Sequence, residues 1–400
     1  MTKPKRTDKT LMVIFGQHDQ ATIDQIVRCA KNGEYSVLCA DGHKGYAQPI
    51  GGVVAYKNHI SVSGVGFDIA CGNLAVRTDA DPDLTQRNIE DIMVEITKKI
   101  SFGVGRYNEF PIDHQKLFDD KAWNDEFLRS LKQKAKAQLG TVGSGNHYVD
   151  IFIDESQKVW IGVHFGSRGL GHAIATHYMK AGGGQDGMDV DPVLLDADSA
   201  LGFRYIEAMT LAGDYAYAGR RWVVNRVLEI IGSKATKEIH NHHNFAWREN
   251  HFGHDLWVVR KGATPAFPGQ YGFVGGSMGD DAVILKGVSS EVSAQALYST
   301  VHGAGRVMSR TAAKGKFVRD DKGKKQRQQG LVRHDEMHKW LCDKGVFLIG
   351  GDLDEAPQAY RRLNSVLEAH AGTIEIVHHL RPIGVAMAGK DIADPYKDQS

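Results

Sequence analysis

Apolar positions recur at helical spacing in "ATIDQIVRCAKNG", 21–33, and a glycine closes the run. The same period runs through "RNIEDIMVEITKKI", 87–100, and "NDEFLRSLKQKAKAQLG", 124–140, which predict amphipathic helices. It is sustained longest in "LGFRYIEAMTLAGDYAYAGRRWVVNRVLEIIGS", 201–233, which predicts one long helix or two. Short apolar or alternating runs predict strands in 34–64, where a glycine loop interrupts them, and in "KVWIGVHFGS", 158–167. Further strands are expected in "HDLWVVRKG", "AVILKGV", "GVFLIGG" and "TIEIVHHLRPIGVAMAG". Helices and strands do not alternate regularly, which argues against a doubly wound parallel sheet. Neither an internal repeat nor a low-complexity linker interrupts the chain, so one domain over 1–400 is expected. The segment "KGKFVRDDKGKKQRQQG", 314–330, is basic and poor in apolar residues, and is expected to be mobile.

Composition narrows the classes. With 42% hydrophobic residues over 400 positions the chain can bury a large core, and a formal charge of +1 excludes a uniformly basic nucleic-acid clamp. The four cysteines, Cys29, Cys39, Cys71 and Cys342, form no paired framework, as expected in a reducing compartment. No apolar run approaches the roughly 18 residues needed to span a bilayer. A cytoplasmic protein without a membrane partner is the expectation.

The chemistry concentrates in short polar motifs rich in glycine. "GVGFDIACGN" puts Asp68 three residues before Cys71, a hard carboxylate beside a soft thiol. Four histidine motifs join it: "GSGNHYVD" with His147, "VHFGSRGLGH" with His164, "NHHNFAWRE" with His242 and His243, and "VHGAGRVMSR" with His302. Imidazole, thiolate and carboxylate together suit Mn, Fe, Co or Zn. Calcium and magnesium prefer all-oxygen sites, and zinc-finger spacings are missing. The loops "GSGNH", "GGSMGDD" and "HGAGR" could turn backbone N–H groups toward phosphate oxygens, with Ser277 and Arg306 near them. Neither "GAGR" nor "GSGN" completes a dinucleotide-binding fingerprint.

Taken in order, "DGHKGYAQPIGGVVAY", "GVGFDIACGN", "GSGNH", "HFGSRGLGH", "HHNFAWRE", "VRKGA", "GGSMG", "HGAGRVMSR" and "DEAPQAY" resemble the RtcB family of RNA ligases over nearly the whole chain. The resemblance implies an α+β fold, with mixed or antiparallel sheets and helices layered around a central metal-binding cleft. It implies joining of RNA ending in a 2′,3′-cyclic phosphate or 3′-phosphate to RNA with a 5′-hydroxyl, in repair or tRNA splicing. GTP would be the co-substrate, and two Mn2+ ions per chain the cofactor, with Zn, Co or Fe as substitutes. By motif, His302 would be the guanylylated nucleophile. Asp68, Cys71, His147, His164 and His243 would hold the metals, with Cys71 shared between them. His243 rather than His242 is chosen because the family's ligand directly precedes the asparagine.

The nucleotide would meet Asn146, Asp150, Asn244, Gly275, Gly276, Ser277, Met278, Gly303, Ala304, Gly305 and Lys390. RNA would meet His43, Arg168, Lys324 and Lys325, and the resemblance leaves room for an accessory activator protein. Four departures mark a divergent branch, suited to repair. Met387 stands near the place of a C-terminal lysine, with Lys390 slightly later. Asp150 replaces a guanine-reading glutamate, Ala282 replaces a serine, and "AYRRLN", 359–364, replaces a more acidic stretch. A metal-dependent phosphodiesterase or phosphatase without guanylylation is the alternative enzyme, and a non-catalytic RNA-binding or regulatory protein the alternative class.

Overall fold

A computed structural model describes residues 5–6, 11–109, 112–319 and 325–389. The chain is α+β, built on two large sheets. In the first the strand order is Lys5–Arg6, Leu11–Ile14, Tyr35–His43, Ile50–Tyr56, His254–Lys261 and Asn244–His251. In the second it is Ala235–His242, Gly72–Thr78, Val159–His164, Tyr148–Asp154, Ile374–Gly389, Ala282–Gly287 and Tyr271–Val274. An eighth strand, Phe347–Gly351, runs parallel to Ile374–Gly389. The other pairs of this sheet are antiparallel, as expected for a chain without a regular strand–helix alternation.

The second sheet is buried on both faces. Leu74, Val76, Val149, Ile151, Ile161 and Val163 pack on one side against Met93 and Ile96 of the helix Ile89–Lys99 and Val223 and Val227 of the helix Ala200–Ile231. Ala75, Phe152, Trp160, Phe273, Ala282 and Ile284 pack on the other. Burial of each large apolar side chain is worth roughly 1.5–3 kcal/mol.

The 201–233 periodicity resolves into one 32-residue helix, Ala200–Ile231. The Ser199 side chain accepts from Gly202 N at its start, and Gly232 in the left-handed region ends it. Small residues let this helix approach the sheet edge closely: a side chain at Gly213 would meet the Phe245 ring at 3.0 Å.

Elements the pattern did not predict include the strands Leu11–Ile14, Gly72–Thr78, Tyr148–Asp154, Ala235–His242, Asn244–His251 and Tyr271–Val274, and the helices Arg168–Ala181 and His334–Lys344. Of the 314–330 segment, Phe317–Arg319 and Lys325–Arg327 pair as a short antiparallel ribbon, and Lys314 Nζ is held by Asp352 Oδ2 at 2.5 Å. Lys324 and Lys390 lie outside the described residues, and Lys325 is described only as strand backbone. Among the described residues, no helix is long and apolar enough to cross a membrane.

Candidate metal centre and nucleotide cleft

Four neighbouring strands of the second sheet bring their ends to one edge. In an antiparallel sheet the end of one strand lies beside the start of the next. His164 ends its strand, pairs with Asn73 on one side and faces Tyr148 on the other. Cys71 directly precedes the strand Gly72–Thr78, His147 directly precedes Tyr148–Asp154, and His243 directly follows Ala235–His242, whose last residue pairs with Gly72. Four residues distant in sequence are thereby delivered side by side. Asp68 joins them from the short turn before Cys71, where Cys71 N donates to Asp68 O at 3.0 Å.

The donors fall into two groups that share one residue. Cys71, His164 and His243 form one; Asp68, Cys71 and His147 form the other, and within each the ligand atoms lie within 4.8 Å of one another. Cys71 Sγ is 3.2 Å from His164 Nε2 and 3.6 Å from His147 Nε2, and His147 Nε2 is 3.0 Å from Asp68 Oδ2. The His243 Nδ1 atom is buried without a hydrogen-bond partner. Buried polar atoms without partners are costly, and this donor set fits a transition-metal ion. The site tolerates no bulk behind it: a side chain at Gly166 would strike Asp68 Oδ1 at 2.1 Å. Burial pushes the Asp68 carboxyl up, but the hydrogen bond and charge of His147, with Arg168, outweigh it and hold it down at about 2. Burial pushes the Cys71 thiol up and the His164 and His243 imidazoles well down, which favours the neutral imidazole that a metal site requires.

His302 stands beside this set, its ring 4.9 Å from that of His243. Its Nδ1 is 2.6 Å from Asp41 Oδ2, and the backbone N–H groups of His302 and Gly303 donate to the same oxygen at 3.0 and 3.4 Å. Burial favours a neutral Asp41, but the His302 charge and hydrogen bonds prevail and lower its pKa. Asp41 was not singled out as a site residue, although "DGHKGYAQPIGGVVAY" begins with it. It lies inside the strand Tyr35–His43, and only the fold reveals its partner.

Around the donors opens a cavity of about 280 Å3. Its lining includes the expected Asn146, Asp150, Asn244, Gly275, Gly276, Ser277, Met278, Gly303, Ala304 and Gly305, together with His43. The Asn244 side chain ties the turn together, donating to Asp68 O at 3.2 Å and accepting from Gly262 N at 2.7 Å. Buried Ser277 Oγ, Tyr148 Oη and Asp150 Oδ1 have no partner, so unsatisfied polar atoms gather in the cleft. Desolvation raises the Asp150 pKa well above the usual carboxylate range. Arg306, Arg310, Glu355 and Tyr360 line the rim; Glu355 pairs with Arg306 at 3.3 Å and Arg310 at 2.9 Å. Arg310, Glu355 and Tyr360 were not singled out as site residues, although "HGAGRVMSR" and "DEAPQAY" carry them.

The remaining positions named from the sequence take varied places. Arg168 lies behind His147 rather than in the cleft, its Nη1 3.4 Å from His147 Nδ1. His242 turns away from the donors and stacks on Tyr217, with ring centroids 3.9 Å apart. Met387 does line the cleft, but Ala282 is packed with Trp160 and Phe273, so a missing serine there does not change the cleft lining.

The sequence profile of the family described as "tRNA-splicing ligase RtcB" matches residues 23–123 and 119–388. The RNA-splicing ligase RtcB of Escherichia coli K12 is 31% identical over 382 residues, covering 88% of this chain and 89% of that protein. The tRNA-splicing ligase RtcB of Thermococcus kodakarensis is 30% identical over 437 aligned positions, covering 88% and 87%. The RNA-splicing ligase RtcB homolog 1 of Entamoeba dispar is 29% identical, covering 87% and 78%. With the family profile extending over most of its length, this chain belongs to the RtcB ligase family.

Proposed function

We propose that the protein is a GTP- and manganese-dependent RNA ligase. It joins RNA ending in a 2′,3′-cyclic phosphate or 3′-phosphate to a 5′-hydroxyl end through a histidine–GMP intermediate. The observation that carries this reading is the pairing of His302 with buried Asp41, 4.9 Å from the ring of a metal-donor histidine. A hydrolase using the same donors would need no such oriented nucleophile.

Asp68, Cys71, His147, His164 and His243 would hold two ions, with Cys71 common to both groups. Bound there, divalent cations would offset repulsion between triphosphate and RNA phosphate and polarise the reacting phosphate. The chain's own groups do the rest. Asp41 keeps the proton on His302 Nδ1 and leaves the Nε2 lone pair free. Nε2 attacks the α-phosphorus of GTP; the new P–N bond forms as the bond to the bridging oxygen breaks, and pyrophosphate leaves. A cyclic RNA end is first hydrolysed to the 3′-phosphate. An oxygen of that phosphate then displaces His302 and takes GMP. Attack by the 5′-hydroxyl forms the phosphodiester as the bond to the GMP phosphate breaks, GMP leaves, and the hydroxyl proton passes to solvent. Backbone N–H groups in 275–278 and 303–305 are suited to hold the phosphates without solvent reorganisation.

Incubation with α-labelled GTP and Mn2+ should label the wild-type chain covalently. His302→Ala should carry no label while still taking up metal. A persisting adduct would overturn the role of His302. RNA-end hydrolysis without any adduct would establish the phosphodiesterase instead.

A further inference from the structure

Behind the sheet edge that carries the metal donors lies an arginine that no motif singles out. Arg220 projects from the long helix Ala200–Ile231 and is wholly buried. Its guanidinium makes four hydrogen bonds, and three touch a neighbour of a donor. Nη1 donates to Ala70 O at 3.0 Å, one residue before Cys71. Nη1 also donates to Phe165 O at 2.5 Å, one residue after His164. Nη2 donates to His242 Nδ1 at 2.9 Å, one residue before His243. The fourth bond, from Nε to His240 Nε2 at 2.8 Å, anchors the fork itself.

The surroundings are shaped to receive this group. Ala70 adopts a positive φ of 59°, which a residue with a side chain rarely takes, and its carbonyl accepts from Arg220. Tyr217, one turn earlier on the helix, lies under the guanidinium at 5.3 Å and stacks on His242. Among the described residues no carboxylate pairs with Arg220; its partners are two carbonyls and two neutral imidazoles. A buried cation without a counter-ion is costly and needs a compensating role. Burial pulls its pKa down to about 10, which leaves it charged at neutral pH.

We propose that Arg220 is the positioning residue of the metal centre: one guanidinium fork fixes the three segments that carry Cys71, His164 and His243, so the donors are assembled before metal arrives. The inference rests on the reading of those residues as metal ligands. Only a planar fork with donors in fixed directions reaches all three segments at once. Lysine, with a single nitrogen, cannot reproduce it.

The test uses cobalt(II) as a spectroscopic probe of the full-length chain. Wild type should bind Co2+ with a thiolate-to-cobalt charge-transfer band. Arg220→Lys should weaken Co2+ binding about 10- to 100-fold, the range for groups that orient metal ligands, and should change the band. Arg221→Lys, on the same helix but paired with Glu238 at the surface, should bind as wild type does. Should Arg220→Lys fail to fold, His240→Phe removes the anchor of the fork, together with a 3.6 Å contact to Glu238, and should weaken Co2+ in the same direction by less. A lower metal-free melting temperature with unchanged Co2+ affinity and spectrum would overturn the proposal, since Arg220 would then serve only the fold. Absence of Co2+ binding at Cys71 in the wild type would instead overturn the metal centre itself.

Discussion

Arg260 and Arg220 are both wholly buried, and their surroundings differ in kind. Arg260 sits in the first sheet and meets Glu249 on the adjacent strand through two bonds, at 2.6 and 3.0 Å. Its remaining donors reach Ser299 Oγ and Leu297 O, and His251 bonds the same carboxylate at 2.8 Å. Charge is neutralised on the spot. Arg220, in the second sheet's covering helix, has carbonyls and imidazoles but, among the described residues, no carboxylate. Two buried acids differ more narrowly: Asp41 Oδ2 is paired with His302, while Asp41 Oδ1 and Asp150 Oδ1 both lack a hydrogen-bond partner among the described residues. Pairing alone does not separate scaffold from cleft, since Asp41 with His302 and Glu355 with Arg306 and Arg310 also lie at the cleft; the two arginines differ in the kind of partner.

The sharpest way to test the contrast is to break the Arg260 pair. Glu249→Gln leaves a buried guanidinium without its counter-ion, which should cost about 3–5 kcal/mol in denaturant unfolding. Burial favours neutral Glu249, but the Arg260 charge and the hydrogen bonds from His251 and Arg260 prevail and lower its pKa. Its contribution is therefore complete above about pH 4.3, the ordinary glutamate value, and is lost as pH falls through the lowered native value. The variant should lose that acid-dependent arm. Co2+ binding by the folded fraction should be unaffected; a weakened site would mean that the two arginines are not separate in role.

The next largest effect is expected at Asp41. Asp41→Asn keeps the shape but removes the charge that orients His302. Adduct formation with GTP should slow roughly 10²- to 10³-fold, within the range for positioned acid–base groups, while metal content stays unchanged. A rate within a factor of two of wild type would show that Asp41 merely anchors the backbone of His302 and Gly303.

How much of this was legible follows from where each signal lives. Periodicity announced the helix Ala200–Ile231 and the strand Val159–His164 because their apolar faces are continuous. The helix Arg168–Ala181 was hidden by Gly169 and Gly171, poor helix formers, and is held by Leu170, Ile174 and Tyr178 packing into the core. Ala235–His242 lies at the sheet's edge and reads as polar, so its pairing with Gly72–Thr78 was not foreseen. The donors stood out through glycine-rich local motifs. Arg220 did not, because it lies within a long helix and its importance arises from partners distant in sequence; Asp41 opens a quoted motif, but its partner His302 is equally distant. Sequence context separated His243 from His242 only by resemblance; the fold gives the physical reason, since Tyr217 and Arg220 occupy His242.

The smallest effect concerns Asp150, and it turns on protonation. Tyr148, Asp150 and Phe152 alternate on one face of the strand Tyr148–Asp154, and Tyr148 and Asp150 line the cleft while Val149 and Ile151 enter the core. Desolvation raises the Asp150 pKa well above its ordinary value, with no opposing cation among the described residues. Guanine offers two donors, N1–H and the exocyclic amine, and wants an ionised carboxylate. GTP binding should therefore release a proton whenever the pH lies below the raised value. Affinity should then improve with pH by up to about tenfold per unit, because one pKa unit corresponds to about 1.4 kcal/mol. Calorimetry in buffers of different ionisation enthalpy reads that proton directly. Asp150→Asn removes the titrating group and should make the affinity independent of pH. It should also lower the preference for GTP over ATP by about 10- to 100-fold, through loss of a charge-assisted hydrogen bond worth roughly 1.5–3 kcal/mol. A GTP affinity that is flat with pH in the wild type, and unchanged in Asp150→Asn, would show that other cleft residues read the base and that the unpaired acid has a different partner.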